Sequence, residues 1–202
     1  MNKLEPLDNS HNRKSFDCGI LPLNVYLQQT ARQHAERDIS RVFVLVSKEA
    51  LEPKPVLGYF SLAACEAKKG DLPEALVRKL PNDLPAARLG RLAVHMDMQG
   101  MGFGKDLVLA AMVKTAEAAK FVAIIGLFVD AKDESVARFY ERFGFQPLPN
   151  QPLTLFLPIQ SLRQIVSNLR SFTMKKDQKS RKADSDGEGI SEADWNVRQT
   201  YR

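Results

Sequence analysis

Three glycines fall within five residues, at Gly100, Gly102 and Gly104, between an apolar run and a helical pattern. This spacing constrains the chain more than any other feature. Leu89 to Val94 reads as a strand, 95–104 as a loop, and Lys105 to Lys120 as a helix with Val108, Ala111, Met112, Thr115 and Ala119 on one side. Phe121 to Val129 is a nearly continuous apolar run, the pattern of a strand buried on both faces. Strand, helix and strand form a βαβ unit, so 89–94 and 122–129 are expected to run parallel. Glycines without Cβ let the loop tighten until its N–H groups converge. The helix that follows adds unsatisfied donors and partial positive charge. Together they make a cradle for a phosphate or diphosphate.

Two common phosphate loops are excluded by neighbouring residues. A Walker loop needs Ser or Thr after Gly-Lys, and Asp106 follows Gly104-Lys105. The G-x-G-x-x-G dinucleotide pattern fails because Lys105 stands where its last glycine belongs. The remaining fit is Gln-x-x-Gly-x-Gly, as Gln99, Gly102 and Gly104.

Elsewhere the chain alternates helix and strand. Leu21 to Arg37 is helical, with Leu23, Tyr26, Leu27 and Ala31 on one stripe. Val42 to Val46 and Val56 to Cys65 read as strands, and a turn or short helix spans Leu72 to Leu80. A proline-punctuated loop is expected to continue to Pro85. Ser135 to Phe143 is a helix closed by Gly144, Leu153 to Leu157 a strand, and Ile159 to Phe172 a last helix. This predicts a mixed α/β domain over 1–172. Residues 173–202, with mixed charge, few aliphatics and Trp195 as a lone aromatic anchor, read as a disordered tail.

Composition narrows the function classes. No run approaches the roughly 18 apolar residues of a membrane span, and the N-terminus lacks a signal-peptide core. Two cysteines, Cys18 and Cys65, and three scattered histidines argue against a disulfide framework or a metal site. These features point to the cytoplasm. Residues 1–172 carry 22 basic against 18 acidic side chains, a modest excess that admits an anionic partner.

The Gln99-x-x-Gly102-x-Gly104 loop resembles the coenzyme A diphosphate loop of the GNAT acetyltransferases. Ala137-Arg138-Phe139-Tyr140-Glu141-Arg142-Phe143-Gly144-Phe145 is similar to a second signature of that superfamily. The resemblance implies a GNAT acyl-CoA N-acyltransferase fold, with the parallel strands 89–94 and 122–129 splayed at their C-terminal ends, using acetyl-CoA and no metal. It places the cofactor on Leu92, Ala93, Val94, Gln99, Gly100, Met101, Gly102, Phe103, Gly104 and Lys105. It also places the Tyr140 phenol beside the thioester sulfur as a proton donor to the leaving thiolate. N–H groups near Val94 would stabilise the oxyanion. Many relatives carry Asn where this chain has Glu134.

The N-terminal stretch His11-Asn12-Arg13-Lys14-x-Phe16-Asp17-Cys18-Gly19, then Leu23-Asn24-x-Tyr26-Leu27, resembles TacT-like GNAT toxins of bacterial type II toxin–antitoxin modules. That resemblance covers about residues 1–160. It implies transfer of acetyl to the α-amine of aminoacyl-tRNA, a block of translation, and a homodimer. It further implies neutralisation by a ribbon–helix–helix antitoxin, with operator DNA reached only through that antitoxin. An aminoacyl ester's amine is weakly basic, so no strong general base is needed; His95 and Asp97 read as turn residues. A tRNA requires spread phosphate neutralisation. Arg32, Arg37, Arg78, Lys79, Arg88 and Arg91, with Arg13, Lys14 and Arg41, are the candidates. Cys18 reads as a small buried apolar residue. A GNAT enzyme acting on a small-molecule amine or a protein N-terminus would share the whole cofactor site, and a non-catalytic binding module is the third possibility.

Overall fold

The valine-rich run around Val44 lies deep in a seven-stranded sheet in the computed structural model, which describes residues 2–169 and 171. In chain order the elements are β1 (Asn2–Pro6), β2 (His11–Asn12), α1 (Leu21–Val25), α2 (Ala31–Glu36), β3 (Arg41–Ser47), β4 (Lys54–Pro55) and β5 (Gly58–Lys68). There follow α3 (Glu74–Val77), β6 (Asp83–Val94), α4 (Phe103–Ala118), β7 (Gly126–Asp130), α5 (Glu134–Glu141), β8 (Gln146–Leu148), β9 (Gln151–Pro158) and a helix α6 over 159–169. A wider π turn, Tyr26–Thr30, joins α1 to α2, so 21–36 is one helical rod with a bulge in it. The tail expected over 173–202 lies outside the described residues. Among the described residues no helix is long and apolar enough to cross a membrane.

The sheet order is β1-β3-β5-β6-β7-β9-β8. Within it only β6 and β7 pair in parallel, so the expected mixed sheet with one parallel pair is present. One face is covered by α4, α5 and α6. Leu107, Val108, Ala111 and Met112 of α4 pack with Leu89, Leu127 and Leu157 of the strands. The other face holds two smaller clusters. Tyr26, Leu27 and Ala31 pack on Val44, Tyr59 and Ala93, while Leu72 packs with Leu84, Ala86, Phe128 and Phe156.

Three expectations are corrected. The loop to Pro85 is in fact the start of β6, which begins at Asp83 and pairs with Lys68 at the far end of a long hairpin. The strand expected over Phe121–Val129 forms only from Gly126; Phe121 is 89% exposed and Val122 62%. Beyond Ile125, whose N–H reaches the Pro85 carbonyl, the ladder has no partner to continue on, because Pro85 offers no N–H. Consequently the parallel contact runs from Ala87↔Leu127 to Leu89↔Val129, not over 89–94 with 122–129. Strand β1, a short stretch without an apolar run, was not expected; its partner β3 defines it.

A polar knot fixes β1 to the rest. Lys3, Lys54 and the buried His11 converge on Glu5, with N···O separations of 2.9, 3.0 and 3.0 Å. Burial pushes the Glu5 carboxyl up, but hydrogen bonds from Lys3, Lys54 and His11 outweigh it and hold the group at about 2. Its folded value lies below its unfolded value of 4.5. The stabilisation is therefore complete above that value and is lost as pH falls toward 2. Glu5→Gln should cost about 1–2 kcal/mol at neutral pH, and urea unfolding at pH 7 and pH 3 should show the difference from wild type shrinking at the acid end.

Candidate active site

Strand β6 does not meet its neighbours evenly. Leu62 faces Leu89 and Ser61 faces Arg91, so Gly90 is an extra residue, a β-bulge. A side chain at Gly90 would press on the Ser61 hydroxyl, since a Cβ there would lie 3.3 Å from it. The bulge reverses which face the following residues point to. Ala87 and Leu89 face α4 before it, and Leu92 and Val94 do so after it. It also bends β6 away from β7 just where their pairing ends at Leu89↔Val129.

The edge this leaves open can be assigned residue by residue. The His95 N–H bonds the Leu57 carbonyl, and Ala93 lies opposite Tyr59. Antiparallel alternation then turns the N–H and C=O of Ala93 toward β5, and those of Leu92 and Val94 toward the gap beside β7. The Val94 carbonyl accepts from Gln99 Nε2 at 3.1 Å, on that gap side. The backbone groups of Ala93 are thus spent on β5, and Leu92 together with the Val94 N–H stays open.

The loop after β6 is tightly drawn. A short 3-10 turn, Met96–Met98, starts from His95, whose Nδ1 accepts from the Asp97 N–H at 3.3 Å. His95 also packs edge-on against Phe16. Both residues therefore shape the turn. The N–H of Gln99 bonds the Met96 carbonyl at 3.1 Å, and its side-chain amide donates to Cys18 O and Val94 O. Gln99 is a latch between the N-terminal segment and the loop. The Met96 N–H, bonded to Asp17 O at 2.8 Å, completes the same seam.

Beyond the latch, the N–H groups of Gly100, Met101, Gly102, Phe103 and Gly104 have no hydrogen-bond partner among the described residues. Gly100 and Gly102 stand at φ 78° and 89°, a left-handed geometry costly for any side chain. Five successive free donors at the N-terminus of a 16-residue helix form an anion nest. Lys105 is exposed in the helix's first turn, and its own N–H is bonded to Gly102 O.

Tyr140 comes from α5, which Asp133 caps by accepting from the Val136 N–H at 2.9 Å. The neighbouring Phe139 ring lies 3.8 Å from where a Cβ on Gly104 would be, so α5 packs against the start of α4. Tyr140 is 6% exposed, sits edge-on to Phe139 and Phe145, and its hydroxyl has no partner among the described residues. Burial pushes the phenol up to about 12, so it stays protonated at neutral pH. Glu134 is exposed and reaches Arg138. Cys18 is buried, its thiol is pushed up by desolvation, and Sγ donates to Asn24 at 3.1 Å, consistent with an inert packing role.

The basic candidates do not form one face. Arg78 and Lys79 precede the start of β6, about 25 Å of strand from Arg91. Arg88 is tied to Asp130, which also accepts from Thr154, and lies over the Phe128 ring. Arg32 is held by Glu36 and Asn9, and Arg41 by Asp38. Arg13 donates to the Gln28 carbonyl. Arg37 is exposed at the end of α2, and Arg91 stacks on Tyr26. Among the described residues no group of three or more His, Cys, Asp or Glu could hold a metal ion.

Sequence reasoning missed the bulge. A glycine inside a strand pattern, Leu89-Gly90-Arg91, was the available signal.

The chain matches the acetyltransferase (GNAT) domain family over residues 39–147. It is 31% identical to a probable TacT toxin of Sinorhizobium fredii, over 81% of this chain and 94% of that protein. It is 29% identical to a tRNA-acetylating toxin of Mycobacterium tuberculosis, over 76% and 90%. Among solved structures it resembles AtaT complexed with acetyl-methionyl-tRNAfMet, at TM-score 0.75 and 32% identity, covering 82% of this chain and 99% of that one. A variant AtaT bound to the C-terminus of the antitoxin AtaR and acetyl-CoA aligns at TM-score 0.68 and 30% identity, over 81% and 97%. An AtaT–AtaR complex bound to DNA aligns at 0.63 and 32%, over 80% and 97%.

Removing the latch should loosen the nest. Gln99→Ala is expected to weaken coenzyme A binding about tenfold by titration calorimetry, as loss of two hydrogen bonds would, with Gly102→Ala weakening it at least as much through backbone strain.

Proposed function

We propose a reaction for this chain from one premise, that it belongs to the GNAT acetyltransferase family. The reaction is transfer of acetyl from acetyl-CoA to the α-amine of aminoacyl-tRNA, which inhibits translation. The single observation that supports it most is the nest of five free N–H groups beside an unpaired strand edge, with one unbonded buried phenol on the helix packed against it.

The residues fit the cofactor. The free N–H groups from Gly100 to Gly104 and the N-terminus of α4 suit its diphosphate. The Val94 N–H and the Leu92 C=O offer the donor and acceptor of a missing strand to its amide-bearing arm. Bound there, acetyl-CoA supplies an acyl thioester activated toward an amine. The Leu92 N–H, the free donor farther from the nest, is assigned to the acyl carbonyl oxygen. Tyr140 Oη holds a proton for the leaving sulfur, and its raised value keeps that proton in place. No carboxylate or imidazole is assigned as base: His95 Nδ1 is occupied in the turn, and the exposed Asp97 carboxylate lies 3.6 Å from that same ring. A weakly basic aminoacyl amine arrives neutral often enough to dispense with one.

The acceptor reading draws on the likeness to toxins that acetylate tRNA. The same likeness supports an antitoxin that binds and neutralises the chain, of the ribbon–helix–helix type, with operator DNA contacted through it. Residues 1–172 are assigned as the catalytic domain, working as a homodimer, and 173–202 as an appended tail. The proposed workplace is the cytoplasm, where charged tRNA is found.

Tyr140→Phe should lower kcat about 100-fold or more, leave the KM for acetyl-CoA nearly unchanged, and relieve growth arrest on expression. Label from acetyl-CoA should appear on the aminoacyl group of charged tRNA; label only on a polyamine or a peptide N-terminus would favour the other acceptor class. The rate at subsaturating acceptor should rise with pH as the amine loses its proton, and show no falling limb from Tyr140 below pH 11, since that phenol titrates only at about 12.

A further inference from the structure

The bulge at Gly90 has a consequence on the face opposite α4. Without the extra residue, Arg91 would share a face with Ala87 and Leu89 and point into the main core. With it, Arg91 joins Ala93 on the face that carries α1 and α2. There its guanidinium lies 3.8 Å from the centre of the Tyr26 ring.

That ring is fixed from every side. Tyr26 is 4% exposed, its hydroxyl is 3.1 Å from Ser40 Oγ, and His34 packs edge-on to it. Tyr59 stacks nearly parallel to it at 6.1 Å, and the Tyr59 hydroxyl donates to Leu23 O at 2.9 Å. Arg91, exposed on its strand, thus lies over a ring that is itself held in place. Stacking uses the face of a guanidinium and leaves its in-plane donors available to a phosphate.

Six of the other candidate cations lack one property or the other. Arg32, Arg41 and Arg88 are bound to carboxylates. Arg37, Arg78 and Lys79 are exposed but rest on no aromatic face among the described residues. Arg91 has no carboxylate partner among the described residues. It also stands on the strand that carries the open edge, one residue before Leu92 and about 10 Å of strand from Val94.

We infer that Arg91, oriented by the Tyr26 stack, holds a phosphodiester of the acceptor's 3′ end and so positions the aminoacyl amine at the end of β6. The inference rests on the acceptor reading above. It makes Arg91 a residue for nucleotide-borne acceptors: an aminoacyl ester without a phosphodiester would not engage it. The diphosphate nest lies beyond the C-terminal end of β6 at the start of α4, so binding of acetyl-CoA is independent of Arg91.

The test compares wild type, Arg91→Gln and Arg91→Lys on two acceptors, charged tRNA and 3′-O-aminoacyl-adenosine, which lacks any phosphodiester. The expected result for Arg91→Gln is a KM for charged tRNA raised about tenfold, the loss of one charge-assisted contact. Its kcat and its KM for acetyl-CoA should hardly change, and turnover of aminoacyl-adenosine should match wild type. Arg91→Lys, which keeps the charge but not the planar fork, should recover only part of the loss. The tRNA KM of wild type should also rise more steeply with salt than that of Arg91→Gln. Equal losses on the two acceptors would mean that Arg91 only supports the fold, and would overturn the inference, as would an unchanged KM for tRNA. Failure of the wild type to acetylate either acceptor would overturn both the inference and the reading beneath it.

Discussion

The parting of β6 from β7 after three paired residues is the constraint on which the rest of this structure depends. A parallel pair normally satisfies both strands along their length. Here the Gly90 bulge bends β6 out of register, and Leu92 and Val94 are left with backbone groups that no strand receives. Unpaired edges are a liability in most sheets. This one is followed at once by a loop whose N–H groups are also unspent. The structure concentrates unsatisfied hydrogen-bonding capacity in one place, which is what a binding site for a long polar cofactor requires.

Around that edge and loop, satisfied groups hold the unsatisfied ones in position. Gln99 spends every donor on the protein, and in doing so ties the N-terminal segment, the end of β6 and the glycine loop together. Asp133 caps α5, and Phe139 brings that helix against the start of α4. Tyr140 differs from Tyr26 and Tyr59. Those two have hydroxyl partners and serve as packed rings, whereas the Tyr140 hydroxyl is buried without one. An unbonded buried hydroxyl costs stability unless something arrives to use it. The leaving sulfur of a bound thioester is the proposed user.

Much of this was legible in the residues. The glycine spacing, the apolar face of α4 and the Phe139-Tyr140 signature announced the nest, the helix and the phenol, because each depends on local pattern. Non-local pairing was not legible. The run Phe121–Ile125 is apolar enough for a strand, yet it has no ladder partner and lies partly exposed. β1 has almost no pattern of its own and is a strand because β3 pairs with it. The parity reversal at Gly90 was equally hidden, since one inserted residue changes which face Arg91 takes without altering composition. The basic residues show the same limit: sequence counts charges, but only the fold shows that Arg88 and Arg32 are already engaged and that Arg78 and Lys79 lie far from Arg91.

The central claim concerns individual amides, so amide hydrogen exchange resolved by NMR, with and without coenzyme A, tests it most directly. Slowed exchange is expected at Leu92, Val94 and Gly100 to Gly104 on binding, with Ala93 and Gln99 already protected and unchanged. Protection appearing elsewhere, or equally on Ala93 and its neighbours, would contradict the claim.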